Sequence, residues 1–90
     1  MAKTMIGKPW GATRYRTPEG VEVSLYRGPG NRARWYTDAG EQVGSEQRNV
    51  VPAIVYAFAQ GWWDTAAPDW LNIGAIAEVR RNTTHRRARA

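Results

Sequence analysis

The sequence predicts an α+β fold: an antiparallel meander of three or four strands, a central helix packed on one of its faces, a second C-terminal helix and a basic tail. Three observations predict it. Between Ala12 and Gly44, short runs alternate apolar and polar residues and are punctuated by Pro18-Glu19-Gly20, Gly28-Pro29-Gly30-Asn31 and Asp38-Ala39-Gly40, the pattern of consecutive hairpins. From Asn49 to Trp63 the period changes from two to 3.6, which marks a helix. Beyond residue 79 every charged residue is an arginine, a basic extension with no apolar face of its own.

The strands follow from the alternation. Ala12 to Thr17 alternates around Tyr15; Val21, Val23 and Leu25 oppose Glu22, Ser24 and Tyr26; Ala33 and Trp35 oppose Arg32, Arg34 and Tyr36; Glu41 to Gly44 adds a short fourth strand around Val43. The turns are set by Pro, which presets its φ, and by Gly, which accepts a positive one. The strand after Gly28-Pro29-Gly30-Asn31 identifies that loop as a hairpin turn and not a phosphate cradle, which would need a helix N-terminus directly after it.

In the central helix, Val51, Ile54, Val55, Phe58 and Trp62 fall on one face, the stripe expected to meet the sheet. Asn49 is placed to cap it, with Ser45 a second candidate one turn earlier; Pro52 is tolerated in the first turn, and Gly61 stands where a left-handed residue ends a helix. Trp70–Arg81 fits two templates. Strand alternation groups Leu71, Ile73, Ala75, Ala77 and Val79, while helix groups Trp70, Ile73, Ala77 and Arg80 or Arg81. Its length and alanines favour helix, with Asp69 as the cap. The expected organisation is an N-terminal arm at 1–11, one domain at 12–81 and a disordered arginine-rich tail at 82–90. No internal repeat is visible.

Composition narrows the function. Ninety residues make one small domain, and five Trp, four Tyr and one Phe supply its bulk. There is no Cys, which excludes disulfides and fits a reducing compartment. The single His85 lies in the tail, so a closed zinc site has no ligand set, no metal or other cofactor is expected, and the usual nucleophile–base pairs are missing. An enzyme is therefore not expected. The start has no apolar run of signal-peptide length, and no segment reaches the roughly 18 apolar residues of a membrane span.

The charge is segregated: residues 1–79 balance eight Lys and Arg against eight Asp and Glu, and Arg80, Arg81, Arg86, Arg87 and Arg89 carry the whole net +5. An arginine tail is a handle for a polyanion. A second cationic surface is expected on the outer face of the sheet, where Arg14, Arg16, Arg32 and Arg34 are interleaved with Tyr26 and Tyr36. Guanidinium groups that track phosphates, beside rings on which bases stack, suit single-stranded nucleic acid. The same residues also form cross-strand pairs that stabilise a solvent-facing sheet. Trp63 and Trp70 offer a different surface, aromatic anchors for a protein partner.

The stretch Arg34-Trp35-Tyr36-Thr37-Asp38-Ala39-Gly40-Glu41-Gln42-Val43-Gly44, with Gln47-Arg48-Asn49-Val50-Val51-Pro52-Ala53 and Gly61-Trp62-Trp63-Asp64, resembles small uncharacterised proteins of actinobacterial phages, including mycobacteriophages. The resemblance covers about the middle third of the chain. It implies a short accessory protein in the cytoplasm of a bacterial host, with a host protein as an alternative partner to nucleic acid. It assigns no residue a role and leaves the oligomeric state open.

Overall fold

The computed structural model describes the backbone of residues 8–89 and the side chains of residues 13–83. The protein is α+β. Five antiparallel strands, β1 (Lys8–Arg16), β2 (Glu22–Arg27), β3 (Ala33–Thr37), β4 (Gln42–Gln47) and β5 (Trp63–Asp64), form one sheet in the order β4-β3-β2-β1-β5. Helix α1 (Val50–Ala59) packs on one face, and α2 (Asp69–Arg89) follows β5.

The first four strands are the predicted meander, with β4 running past the expected end at Gly44 to Gln47. The fifth is an addition: Trp63, expected at a helix end, and Asp64 pair with Arg16 and Tyr15 on the free side of β1. A two-residue strand has no alternation to detect. The arm expected at 1–11 is shortened by β1, which begins at Lys8; residues 1–7 lie outside the described residues. At the other end, α2 continues to Arg89, past Arg81 and through residues assigned to a disordered tail. Arginine and alanine are good helix formers, and cationic residues near a helix C-terminus favour its dipole.

The sheet also contains a repeat that the sequence does not announce. Hairpins β1–β2 and β3–β4 are the same unit displaced by twenty positions. Tyr15 pairs with Val23 as Trp35 pairs with Val43, and Arg16 with Glu22 as Tyr36 with Gln42. Both turns have a Thr at the start and a Gly three residues on. Thr17 and Thr37 accept from Gly20 N at 2.8 Å and Gly40 N at 2.9 Å. Their hydroxyls accept from Val21 N at 3.1 Å and Glu41 N at 3.2 Å. Gly20 and Gly40 sit at φ 89° and 87°, the left-handed conformation that a three-residue hairpin loop requires. Outside the shared Arg, Thr, Gly and Val positions the two units diverge, which hides the repeat from inspection.

The core lies between the sheet and α1. Tyr15, Val23, Leu25, Ala33 and Trp35 are buried from the sheet side, and Val50, Ala53, Ala57 and Trp62 from the helix side. Trp35 meets Tyr15 edge-on at 4.8 Å and Trp62 at 5.5 Å, and Tyr15 meets Phe58 at 5.5 Å. These edge-to-face contacts add to the burial of their rings.

The apolar stripe expected on α1 is rotated. Val51 is 68% exposed and Val55 is exposed, while Ala53 and Ala57 are fully buried and Ile54 and Phe58 half-buried. Small residues at the interface let the helix approach Trp35 closely enough for its indole N–H to donate to the Ala53 carbonyl at 3.2 Å. The caps are as expected. The Asn49 side chain accepts from Val50 N at 2.7 Å. At the other end Gly61 N donates to Phe58 O and Trp62 N to Ala57 O, a Schellman closure with Gly61 at φ 81°.

Candidate nucleic-acid interface

The outer face of the sheet is where strand alternation sends the polar residues, and the register sets their neighbours. Arg14 stands opposite Ser24, Ser24 opposite Tyr36, and Tyr26 opposite Arg34. The expected cluster is therefore assembled, with its charges already engaged. Arg14 donates from Nε to Glu22 at 3.2 Å, from Nη1 to Ser24 at 3.1 Å and from Nη2 to both oxygens of Asp38, at 2.9 and 3.1 Å. It thereby ties the first hairpin to the turn of the second. Arg32 and Arg34 share Glu46: Arg32 Nη1 lies 2.9 Å from Oε2, and Arg34 binds Oε1.

Proton affinities follow this pairing. The hydrogen bond to Asp38 is the largest cause raising the Arg14 guanidinium, and the bond to Tyr36, then that to Glu46, raises Arg34. The bond from Arg34 holds the Glu46 carboxyl below its usual range. All three groups face water, where such pairs contribute little to stability. Four guanidinium groups on this face are thus matched by three carboxylates, and Arg16 is the one with no ion pair among the described residues. Tyr36 departs from expectation. It is only 7% exposed, because Tyr26 packs edge-on against it at 5.5 Å and Arg34 donates to its hydroxyl at 3.4 Å. Its ring is not an open platform for a base, and Tyr26 is half-buried.

Helix α2 carries the other cationic residues. Its inner face is Asn72, Ala75, Ile76 and Val79, at the i, i+3, i+4, i+7 spacing of a buried stripe. The face expected to pack, Trp70, Ile73 and Ala77, is turned to solvent: Trp70 is 73% and Ile73 60% exposed. The cause is Asn72, fully buried although polar. Its Oδ1 accepts from Asp64 N at 2.7 Å, and its Nδ2 donates to Asp64 O at 3.1 Å and Pro68 O at 3.5 Å. The side-chain amide acts as the next strand for β5, pairing both backbone groups of Asp64 on its free side. This fixes the rotation of α2, and no hydrophobic pattern announces it. The Pro68 carbonyl, not Asp69, receives the first bonds, from Leu71 N at 3.0 Å and Asn72 N at 3.4 Å.

Arg80 and Arg81 are exposed on α2, and neither takes part in an ion pair among the described residues. The backbone places Arg86, Arg87 and Arg89 on the same helix; their side chains lie outside the described residues. Trp63 is half-buried and lines a shallow groove of about 400 Å³ with Gly61, Ile73, Ile76, Ala77 and Arg80. Of the two tryptophans expected at a protein interface, Trp70 is the accessible one. Among the described residues no cluster of three His, Cys, Asp or Glu stands close enough to hold a metal ion, and no helix is long and apolar enough to cross a membrane. Comparison with protein-family models, curated proteins and solved structures gave no match.

Proposed function

We propose that this protein is a non-enzymatic, nucleic-acid-binding accessory protein whose principal contact is the arginine end of α2. The observation that carries the reading is the continuation of α2 to Arg89, which sets five arginines on one helix beyond Glu78, the last acidic residue. Residues 80–89 span about 15 Å of helix axis, a length that a nucleic-acid groove accommodates. A helix also holds its charges in register without the ordering cost of a coil. The sheet face contributes less than its arginine count implies. Its carboxylates neutralise Arg14, Arg32 and Arg34, leaving Arg16, with Tyr26 beside the cluster, as the available groups.

Affinity for duplex and single-stranded oligonucleotides, measured against salt, tests this reading. On duplex each neutralised phosphate contributes a slope of about 0.9, and on single strands about 0.7. Removing residues 82–90 should flatten the slope by up to three phosphates; Arg32→Ala with Arg34→Ala should change it by less than one. Absence of binding to either form at low salt would end the proposal. The exposure of Trp70 favours a second reading, a protein partner anchored there. Its affinity would be nearly independent of salt and would drop with Trp70→Ala.

A further inference from the structure

The outward face of α2 is self-complementary, and we infer that it is a dimer seam occupied by the same helix of a second copy, running antiparallel. At 100° per residue, Trp70, Gly74, Ala77 and Arg81 lie along one line of the helix, with Asp69, Ile73 and Arg80 on one flank. All seven are exposed. Small residues stand in the middle of the line, an aromatic ring at one end and a guanidinium at the other. Gly74 has nothing within 4 Å of where a Cβ would be. It therefore costs helix stability, about 1 kcal/mol relative to Ala, without a packing reason inside its own chain.

A two-fold axis between the two helices, level with the midpoint of Ala75 and Ile76, pairs these features. Trp70 and Arg81 each lie about 8 Å from that midpoint along the helix, so Trp70 of one copy faces Arg81 of the other, a cation–π arrangement made twice. Gly74 meets Ala77 at the crossing, where small side chains allow close approach. A two-fold perpendicular to the helices keeps each flank on its own side. Asp69 then comes within one turn of the second copy's Arg80, again twice, and Ile73 packs against the stem of that arginine. Neither Asp69 nor Arg80 has an ion-pair partner among the described residues of its own chain. It is this charge complementarity that selects a second copy: a merely apolar occupant would leave both charges unpaired at the rim. The seam ends near Asn82, so Arg86, Arg87 and Arg89 lie beyond it. The seam shares Arg80 and Arg81 with the arginine end proposed above and leaves the other three free of it; its assay contains no nucleic acid, so the two readings fail separately.

Sedimentation equilibrium of the full chain from micromolar to submillimolar concentration should give twice the chain mass. Ile73→Glu and Gly74→Leu should each weaken association by about thirtyfold or more. Leucine is the better helix former, so loss of the dimer in Gly74→Leu together with an unchanged or raised melting point would exclude misfolding as the cause. Charge exchange is the sharper test. Asp69→Arg alone and Arg80→Asp alone each set like charges across both rims and should dissociate the dimer. Mixing the two variants pairs opposite charges at both rims and should restore it as a heterodimer. A monomer at every concentration, a dimer indifferent to Ile73→Glu, or a mixture that does not associate would each overturn the seam.

Discussion

The two helices of this protein are held in opposite ways. Helix α1 has ten residues and a defined end on each side, the Asn49 cap and the Gly61 closure, and its inner face lies flat on the sheet through alanines. Helix α2 is twice as long and, among the described residues, has one that is fully buried, Asn72. The first is fixed by area, the second by one polar side chain whose hydrogen bonds have no substitute. The difference teaches that a long helix can be oriented by a few directional bonds while its large apolar residues face outward. Trp70 and Ile73 on that outward face are the residues the proposed seam would cover.

The contrast can be broken most forcefully at Trp35, which holds α1 by both burial and the bond to Ala53. Trp35→Ala should destabilise the protein by about 3–5 kcal/mol, as expected for a large core aromatic, and urea unfolding would measure it. Asn72→Ala should cost about 1–3 kcal/mol, because both backbone groups of Asp64 lose a buried partner. It should also release α2 selectively. Amide exchange in residues 70–80 would rise while that of α1 stays slow, and equal loosening of both helices would remove the distinction drawn here. Gly61→Ala acts on the closure of α1 alone. The left-handed conformation costs a residue with a Cβ about 1–2 kcal/mol, readable as a lower thermal midpoint with α2 exchange unchanged.

A smaller, pH-dependent effect belongs to Tyr15, which touches Phe58 of α1 and is backed by Asp64 at the approach to α2. Burial, and then the charge and hydrogen bond of Asp64, push its hydroxyl well above the usual phenol range. Because the folded value is raised, the unfolded chain loses the proton first. Stability from this group is full below about pH 10 and declines as pH rises beyond it. Thermal midpoints at alkaline pH should fall in the natural protein and fall less in Tyr15→Phe.

Strand positions and turns were legible because alternation and Thr/Gly/Pro chemistry act locally: Glu22 to Arg27 and Pro18-Glu19-Gly20 read as they fold, while Val21, expected on the inner side with Val23 and Leu25, lies before the strand and is exposed. The helix faces were not. In both helices the largest apolar residues suggested the inner stripe, and in both the structure turns a neighbouring one inward, centred on Ala53 and Ala57 in α1 and on Asn72 in α2. Hydrophobicity ranks Val51 above Ala53, whereas the fit of a helix against Trp35 ranks them the other way. At the candidate interface the sequence located the arginines of the sheet and showed Glu22 beside them. It could not show that Glu46 reaches both Arg32 and Arg34, or that Asp38 reaches Arg14 across hairpins. Those contacts depend on the register and on the irregular pairing between Ala33 and Trp35.

A duplicated hairpin gives the folding chain two copies of one local minimum, and a misordered sheet could satisfy most of the same pairings. The clasp from Arg14 to Asp38 distinguishes them. It runs from the first copy to the turn of the second, and its reciprocal would run from Arg34 to position 18, twenty residues earlier than Asp38. That position is Pro18, which has no carboxylate to offer. The turns also differ at Glu19 and Ala39, but it is the Pro18/Asp38 difference that lets the clasp form in one sense only, a small bias toward a single strand order against the frustration that repetition would introduce.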